Sequence, residues 1–256
     1  YTYMVIWKDL YEVHGGFVNW SSEGLGVFSF TNELWNGDQY FYGKAADWER
    51  RDARMKFGDL LEFEHHFVPY HEFQHPRYGE ILIGGWNKYA SRVPPTFMLE
   101  ELCHRNFAFT MYHADQMPRI YFSRVRVRQL EGRTWELTVE ARNDAAIPTI
   151  SALAAQKRIG ARDSIQIDPV PAGPGAVQVL ASGTPDDWFT AAMAPTKRQP
   201  ERIWVDQGIH GHGGRLFRWI LSGSGAVDVT LQTAKGGTIK RTVNLEPQDV
   251  VERLPD

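Results

Sequence analysis

The stretch Asp9–Trp35, DLYEVHGGFVNWSSEGLGVFSFTNELW, decides how the first part of the chain is read. It joins a glycine pair, Gly15-Gly16, to Trp20 and then to an alternating run, Val27–Leu34. Paired glycines mark a turn or a close backbone approach. In the run, Phe28, Phe30 and Leu34 fall on one face of an expected strand, and Val27, Ser29, Thr31 and Glu33 on the other. Glu33 therefore shares a face with small polar groups at the C-terminal end of that strand, where open α/β sheets place ligands. Glutamate is disfavoured in strands, so a functional role competes here with a solvated charge on an edge strand.

The order Tyr11, Gly15-Gly16, Asn19-Trp20 and Phe28-Ser29-Phe30-Thr31-Asn32-Glu33-Leu34 resembles the last part of the catalytic domain of zinc metallocarboxypeptidases of the carboxypeptidase A type. The resemblance implies that Glu33 is the general base/acid of peptide hydrolysis and that Tyr11 closes over the peptide substrate. It also implies that Val18 and Thr31 line the side-chain pocket, an apolar Val18 favouring apolar or aromatic C-terminal residues. In that family zinc is held by a His-x-x-Glu pair and a later histidine, all upstream of the matching region, as are the arginines that grip substrate. Zinc is thus expected for the complete enzyme but not from the family's ligands in this chain. An N-terminal portion of the same catalytic domain is the expected partner, and the chain is expected to be a fragment. Enzymes of this kind with an appended β-domain imply a periplasmic or extracellular location.

The resemblance extends weakly into the clearest helical pattern of the chain. Pro94-Pro95-Thr96 opens it, and Leu99, Leu102, Cys103, Asn106, Phe107, Thr110 and Met111 recur at helical spacing before Pro118 stops it. A second helix is expected around residues 46–61, after turn chemistry at Asn36-Gly37-Asp38. From Arg119 onward the texture changes to short alternating runs: Val125 and Val127, then Trp135, Leu137, Val139 and Ala141. Further runs follow at Ser164–Ile167, Val177–Ala181, Leu216–Leu221, Val227–Leu231 and Thr238–Leu245, the last after a turn at Lys235-Gly236-Gly237. Many short strands with regular turns indicate a β-sandwich. The expected class is therefore the α/β C-terminal part of a carboxypeptidase-like domain over residues 1–118, an incomplete mixed sheet with helices. An all-β sandwich domain over residues 119–256 follows it.

Composition sets the outer bounds. The 256 residues carry 43% hydrophobic and 23% charged side chains, ordinary globular values with room for one large or two modest cores. A net charge of -3 without a basic stripe argues against nucleic-acid binding. No apolar run reaches the ~18 residues of a membrane span. One cysteine, Cys103, excludes an internal disulfide framework.

His71-Glu72-Phe73-Gln74-His75 fits the His-Glu-x-x-His pattern, whose histidines share a zinc only when a helix puts them one turn apart. Pro69 and Pro76 flank it, and a residue before proline is biased away from helical angles, so no helix through both histidines is expected and Pro69–Trp86 reads as loop-rich, with a short strand at Glu80–Ile83. Adventitious metal binding by His65, His66, His71 and His75 stays open. His210-Gly211-His212-Gly213-Gly214 reads as a turn between strands, His104 and His113 as half-buried helix residues, and Cys103 as packing. Gly43-Lys44 lacks the glycine-rich lead of a phosphate loop. A different reading makes the chain a non-catalytic binding or structural protein whose sandwich recognises protein or glycan. Trp188, Trp204 and Trp219 would then offer a stacking surface, although core is the expected place of Trp219.

Overall fold

Strands β3 (Ile120–Gln129) and β4 (Thr134–Asn143) alternate apolar and polar residues, apart from a bulge between Phe122 and Arg124, and so present one apolar face. Val125, Val127, Trp135, Leu137, Val139 and Ala141 are buried on that face. They pair antiparallel within a six-stranded sheet of order β12-β3-β4-β9-β6-β7. Here β6 is Gln178–Thr184, β7 Ala194–Pro195, β9 Gly213–Ser222 and β12 Gln248–Val251. A four-stranded sheet of order β11-β10-β5-β8 faces it, made of β5 (Asp163–Val170), β8 (Arg202–Val205), β10 (Ala226–Thr233) and β11 (Gly237–Asn244). Ile165, Ile167, Ile203, Val229 and Leu231 of this sheet join Phe217, Trp219 and Leu221 of the other in one buried cluster. At the edge, Arg124 locks β12 onto β3 through two 2.7 Å hydrogen bonds to the Asp249 carboxylate.

The computed structural model describes residues 3–35, 47–90, 92–171 and 176–253. The turn expected at Asn36-Gly37-Asp38 and the Gly43-Lys44 pair lie outside them. The chain divides into two compact units, one of Tyr1–Phe30 with His113–Asp256 and the other of Thr31–Tyr112. The first unit holds the two sheets, short helical turns at Ile6–Leu10, Phe17–Asn19 and Trp20–Gly24, and a helix Ala152–Lys157 that starts where Ser151 Oγ accepts the Ala154 N–H. The second holds a helix Asp47–Leu61, a hairpin of β1 (Phe67–His75) and β2 (Gly79–Trp86), and most of a helix Thr96–Asp115. On that last helix Met98, Leu102, Asn106 and Phe109 make the covered stripe, while Leu99, Cys103, Phe107 and Met111 are exposed. No helix among the described residues is long and apolar enough to cross a membrane, which says nothing of a β-barrel.

The expected α/β class is overturned. The described strands form three antiparallel sheets, and no mixed sheet flanked by helices is present among the described residues. Val27–Leu34 belongs to no helix or strand and pairs with no described strand. Its alternation is real, yet an alternating segment becomes a strand only by finding a neighbour for its backbone N–H and C=O groups. The two facing sheets are compatible with the sandwich half of the expectation.

Candidate functional site

The residues of the Asp9–Trp35 motif are held by local turns. Tyr11 follows the Ile6–Leu10 turn, donating its N–H to Ile6 O at 3.0 Å, and its side chain is exposed. Gly15 has φ 72°, in the region glycine enters without a Cβ penalty. Gly16 then opens the helical turn that carries half-buried Val18. The Val18 carbonyl accepts the Ser22 hydroxyl at 2.6 Å, and buried Ser21 donates to Phe17 O at 2.8 Å. Ser29 reaches back to Ser21 at 2.5 Å, tying the extended run to the turn. Gly26, at φ 68°, packs so close to Ala154 that a Cβ would collide, and its carbonyl accepts the Ser151 hydroxyl at 2.9 Å. Phe30 stacks edge-on against His113 at 4.9 Å.

Thr31 and Glu33 belong to the second unit, Tyr11 and Val18 to the first. Within the second unit Glu33 sits between two anchored neighbours. Asn32 donates to the Asn106 side chain at 2.9 Å, and Trp35 packs on Phe57 at 5.6 Å. Glu33 itself is exposed, with no ion pair to a described residue, and Thr31 is exposed beside it.

The histidine motif is not a zinc site of the helical kind. His71 and His75 lie on β1, opposite Ile83 and Gly79 of β2. Four residues along a strand separate their backbones by about 13 Å, far beyond what two ligands of one zinc ion allow. His75 Nδ1 instead accepts the N–H groups of Arg77 and Tyr78 at 3.1 and 3.2 Å and so fixes the hairpin turn. Among the described residues no three His, Cys, Asp or Glu side chains come together as a metal site. His210–His212 is a tied turn, His212 N–H reaching Ala145 O at 3.0 Å.

The sandwich tryptophans separate into three environments. Trp219 is wholly buried in the core. Trp188 lies under two guanidiniums, Arg124 at 4.5 Å and Arg126 at 5.1 Å. Trp204, on edge strand β8, is 44% exposed. Sequence reading missed the polar groups around Trp204 and a buried cluster at Glu136. Both occupy the outward phase of the strand alternation, the one signal that could have grouped them.

Among the titratable groups shifted by their surroundings in the sandwich, Asp163 is the buried carboxyl. Asp163, fully buried at the start of β5, accepts the Ala234 N–H at 2.7 Å. Burial raises its carboxyl above the usual range, an effect eased by Thr149, the Ala234 amide and Lys235. A carboxyl raised on folding holds its proton where the unfolded chain has lost it. Its contribution to stability is therefore full below the unfolded value and declines as pH rises through the folded one. Asp163→Asn keeps the acceptor and removes the charge. Urea titrations at about pH 4 and about pH 7 should show the wild type losing stability relative to the variant as pH rises. Parallel profiles would mean that Asp163 titrates as in the unfolded chain. Burial pushes the neighbouring Lys235 down from its ordinary range.

Residues 119–244 match the model of a family described as a domain of unknown function, DUF8731. The match runs from the start of β3 to the end of β11 and so takes in nearly all of both sheets. No curated protein matches the chain.

Proposed function

We propose that this chain is the C-terminal portion of a zinc metallocarboxypeptidase-like enzyme that removes apolar or aromatic C-terminal residues from peptides, with Glu33 as general base/acid. The observation that carries the reading is an exposed carboxylate, free of ion pairs to described residues, fixed between the anchored side chains of Asn32 and Trp35. The ordered spacing of Tyr11, Gly15-Gly16, Trp20 and Glu33 supports it further. So does the exposure of Phe28, Phe30 and Leu34, apolar groups of the kind that a partner covers.

The reading assigns the metal ligands and the substrate-gripping arginines to an N-terminal portion of the catalytic domain, in a protein exported to the periplasm or the exterior. Zinc, when bound there, supplies a polarised carbonyl and a water acidic enough to deprotonate near neutral pH. Glu33 would take a proton from the attacking water and return it to the leaving amine, which balances the hydrolysis. An exposed carboxylate fits this work beside a cation. The resemblance gives Tyr11, Val18 and Thr31 substrate-facing roles, Tyr11 toward the peptide and the other two toward its C-terminal side chain.

The test uses the complex of this chain with the N-terminal portion and an N-acylated dipeptide ending in phenylalanine. Release of free phenylalanine is expected, abolished by a zinc chelator and restored by added zinc. A dipeptide ending in lysine should be a much poorer substrate. A complex that releases no phenylalanine, or does so undiminished in chelator, overturns the reading.

A further inference from the structure

The four-stranded sheet buries one face in the core and leaves the other open, and the open face is organised around Trp204. Trp204 and Arg202 alternate with the buried Ile203 and Val205 on β8, and Trp204 is paired across to Ser164 on β5. Arg202 donates from Nε at 3.0 Å and from Nη2 at 2.5 Å to the Gln166 carbonyl oxygen. Gln166 in turn donates its amide to Asp168 at 3.1 Å. A guanidinium, an amide and a carboxylate are thus chained across two strands beside the indole. Arg162, itself held by two hydrogen bonds to Asp206, lies 4.3 Å from the Trp204 ring and stiffens it.

Charge on this face is balanced. Lys240 and Asp228 pair at 2.7 Å, and the bond from Lys240, with that from Thr242, holds the Asp228 carboxyl below its ordinary range. Arg202 is matched by Asp168, and Arg162 by Asp206. Such a face gives no net attraction to phosphate or other polyanions. It is equally unlike the centre of a protein interface, which is depleted in charged groups and rich in aromatic ones. An indole that is 44% exposed, with Arg162 at 4.3 Å and Arg202 at 5.6 Å from its ring and bordered by planar groups that both donate and accept, suits a ring with a C–H face and hydroxyls at its rim.

We propose that the outer face of the β11-β10-β5-β8 sheet binds a neutral, extended oligosaccharide, with Trp204 stacked on a pyranose ring and Arg202, Gln166 and Asp168 bonded to its hydroxyls. The sheet is open at this face, so a chain lying along it is favoured over a small enclosed molecule. The site is independent of Glu33 and of any metal. On an enzyme of the proposed kind it would hold the protein on a polysaccharide matrix.

The experiment is calorimetric titration of the full chain with cellohexaose and with chitohexaose. Saturable binding of at least one is expected, unchanged between about 50 and about 500 mM salt because the ligand is neutral. Trp204→Ala should weaken it about tenfold or more, and Trp204→Phe less, since an aromatic face remains. Gln166→Ala should weaken it several-fold, whereas Phe189→Ala, at a 94% exposed loop residue away from this sheet, should leave it unchanged. Thermal melts of each variant separate lost binding from lost fold. Failure of both oligosaccharides to bind at millimolar concentration overturns the proposal. So does wild-type affinity in a folded Trp204→Ala variant, or binding that collapses with salt.

Discussion

Glu136→Ala is expected to destabilise the sandwich by about 3–5 kcal/mol, the range for stripping one partner from a buried ion pair. Glu136 stands on the outer face of β4, and its side chain is only 7% exposed. Three guanidinium groups converge on it: Arg128 at 3.2 Å, Arg126 at 3.8 Å and Arg218 at 3.8 Å. Arg218 is 2% exposed, so it cannot turn to water when the carboxylate is lost. Its remaining bonds, to Thr138 Oγ1 at 3.0 Å and to Thr190 O at 2.6 Å, satisfy donors but do not neutralise the charge. Arg126 donates to Trp188 O at 2.8 Å in the same way.

Urea unfolding followed by tryptophan fluorescence reads the effect as a shifted midpoint with an unchanged slope. Two further variants identify the cause. Glu136→Gln keeps the shape but not the charge and should lose most of the same stability. The double variant Glu136→Leu with Arg218→Leu should recover much of it, because buried apolar pairs replace buried ion pairs at little cost. The exposed pair Arg162–Asp206 is the contrast, and breaking it should cost no more than about 1 kcal/mol. A Glu136→Ala shift below that figure would show that the carbonyls of Trp188 and Thr190 hold the guanidiniums unaided.

What the sequence disclosed depended on how local the cause was. Trp135, Leu137, Val139 and Ala141 announce a strand because they recur at period two and share the face that packs into the core. Lys235-Gly236-Gly237 announces the hairpin between β10 and β11 by turn chemistry alone. The short strands β7, β8 and β12 give no such signal, since two to four residues hold too few alternations to stand out. Glu136 follows the alternation faithfully and so reads as a solvated charge. Its burial comes from residues such as Trp188 and Thr190, whose carbonyls hold Arg126 and Arg218, some fifty positions further along the chain.

The same distinction explains the motif around Glu33. The paired glycines, the turn at Phe17–Asn19 and the Ser21–Ser29 bond are local, and they follow from residue types. The strand expected over Val27–Leu34 was not local, because its hydrogen bonds had to come from neighbours that the described residues do not present to it. The two prolines flanking His71 and His75 were the better guide to backbone there than the metal-binding pattern they interrupt. Proline restricts φ and the residue before it whatever the rest of the fold does, whereas a metal site needs distant parts to agree.

On the proposed reading, in a complex with the proposed N-terminal portion, Glu33→Gln is expected to lower kcat for the phenylalanine dipeptide by about 10²–10⁴-fold, the contribution of a positioned general base. Glutamine matches glutamate in size and still accepts a hydrogen bond, but it cannot take up a proton at any working pH. KM should change little, because the lost interaction is made in the transition state rather than on binding. Stability of the chain should stay within about 0.5 kcal/mol of wild type, since the side chain is exposed and free of described ion pairs. That pairing of a large kinetic loss with an intact fold is what a structural role for Glu33 would not produce. Asn106→Ala, which frees Asn32, supplies the complement. If Glu33 works because its neighbours hold it, loosening Asn32 should reduce kcat by a smaller factor at unchanged pH dependence. A Gln variant as active as wild type would remove Glu33 from the reaction and leave the carboxylate as an ordinary surface charge.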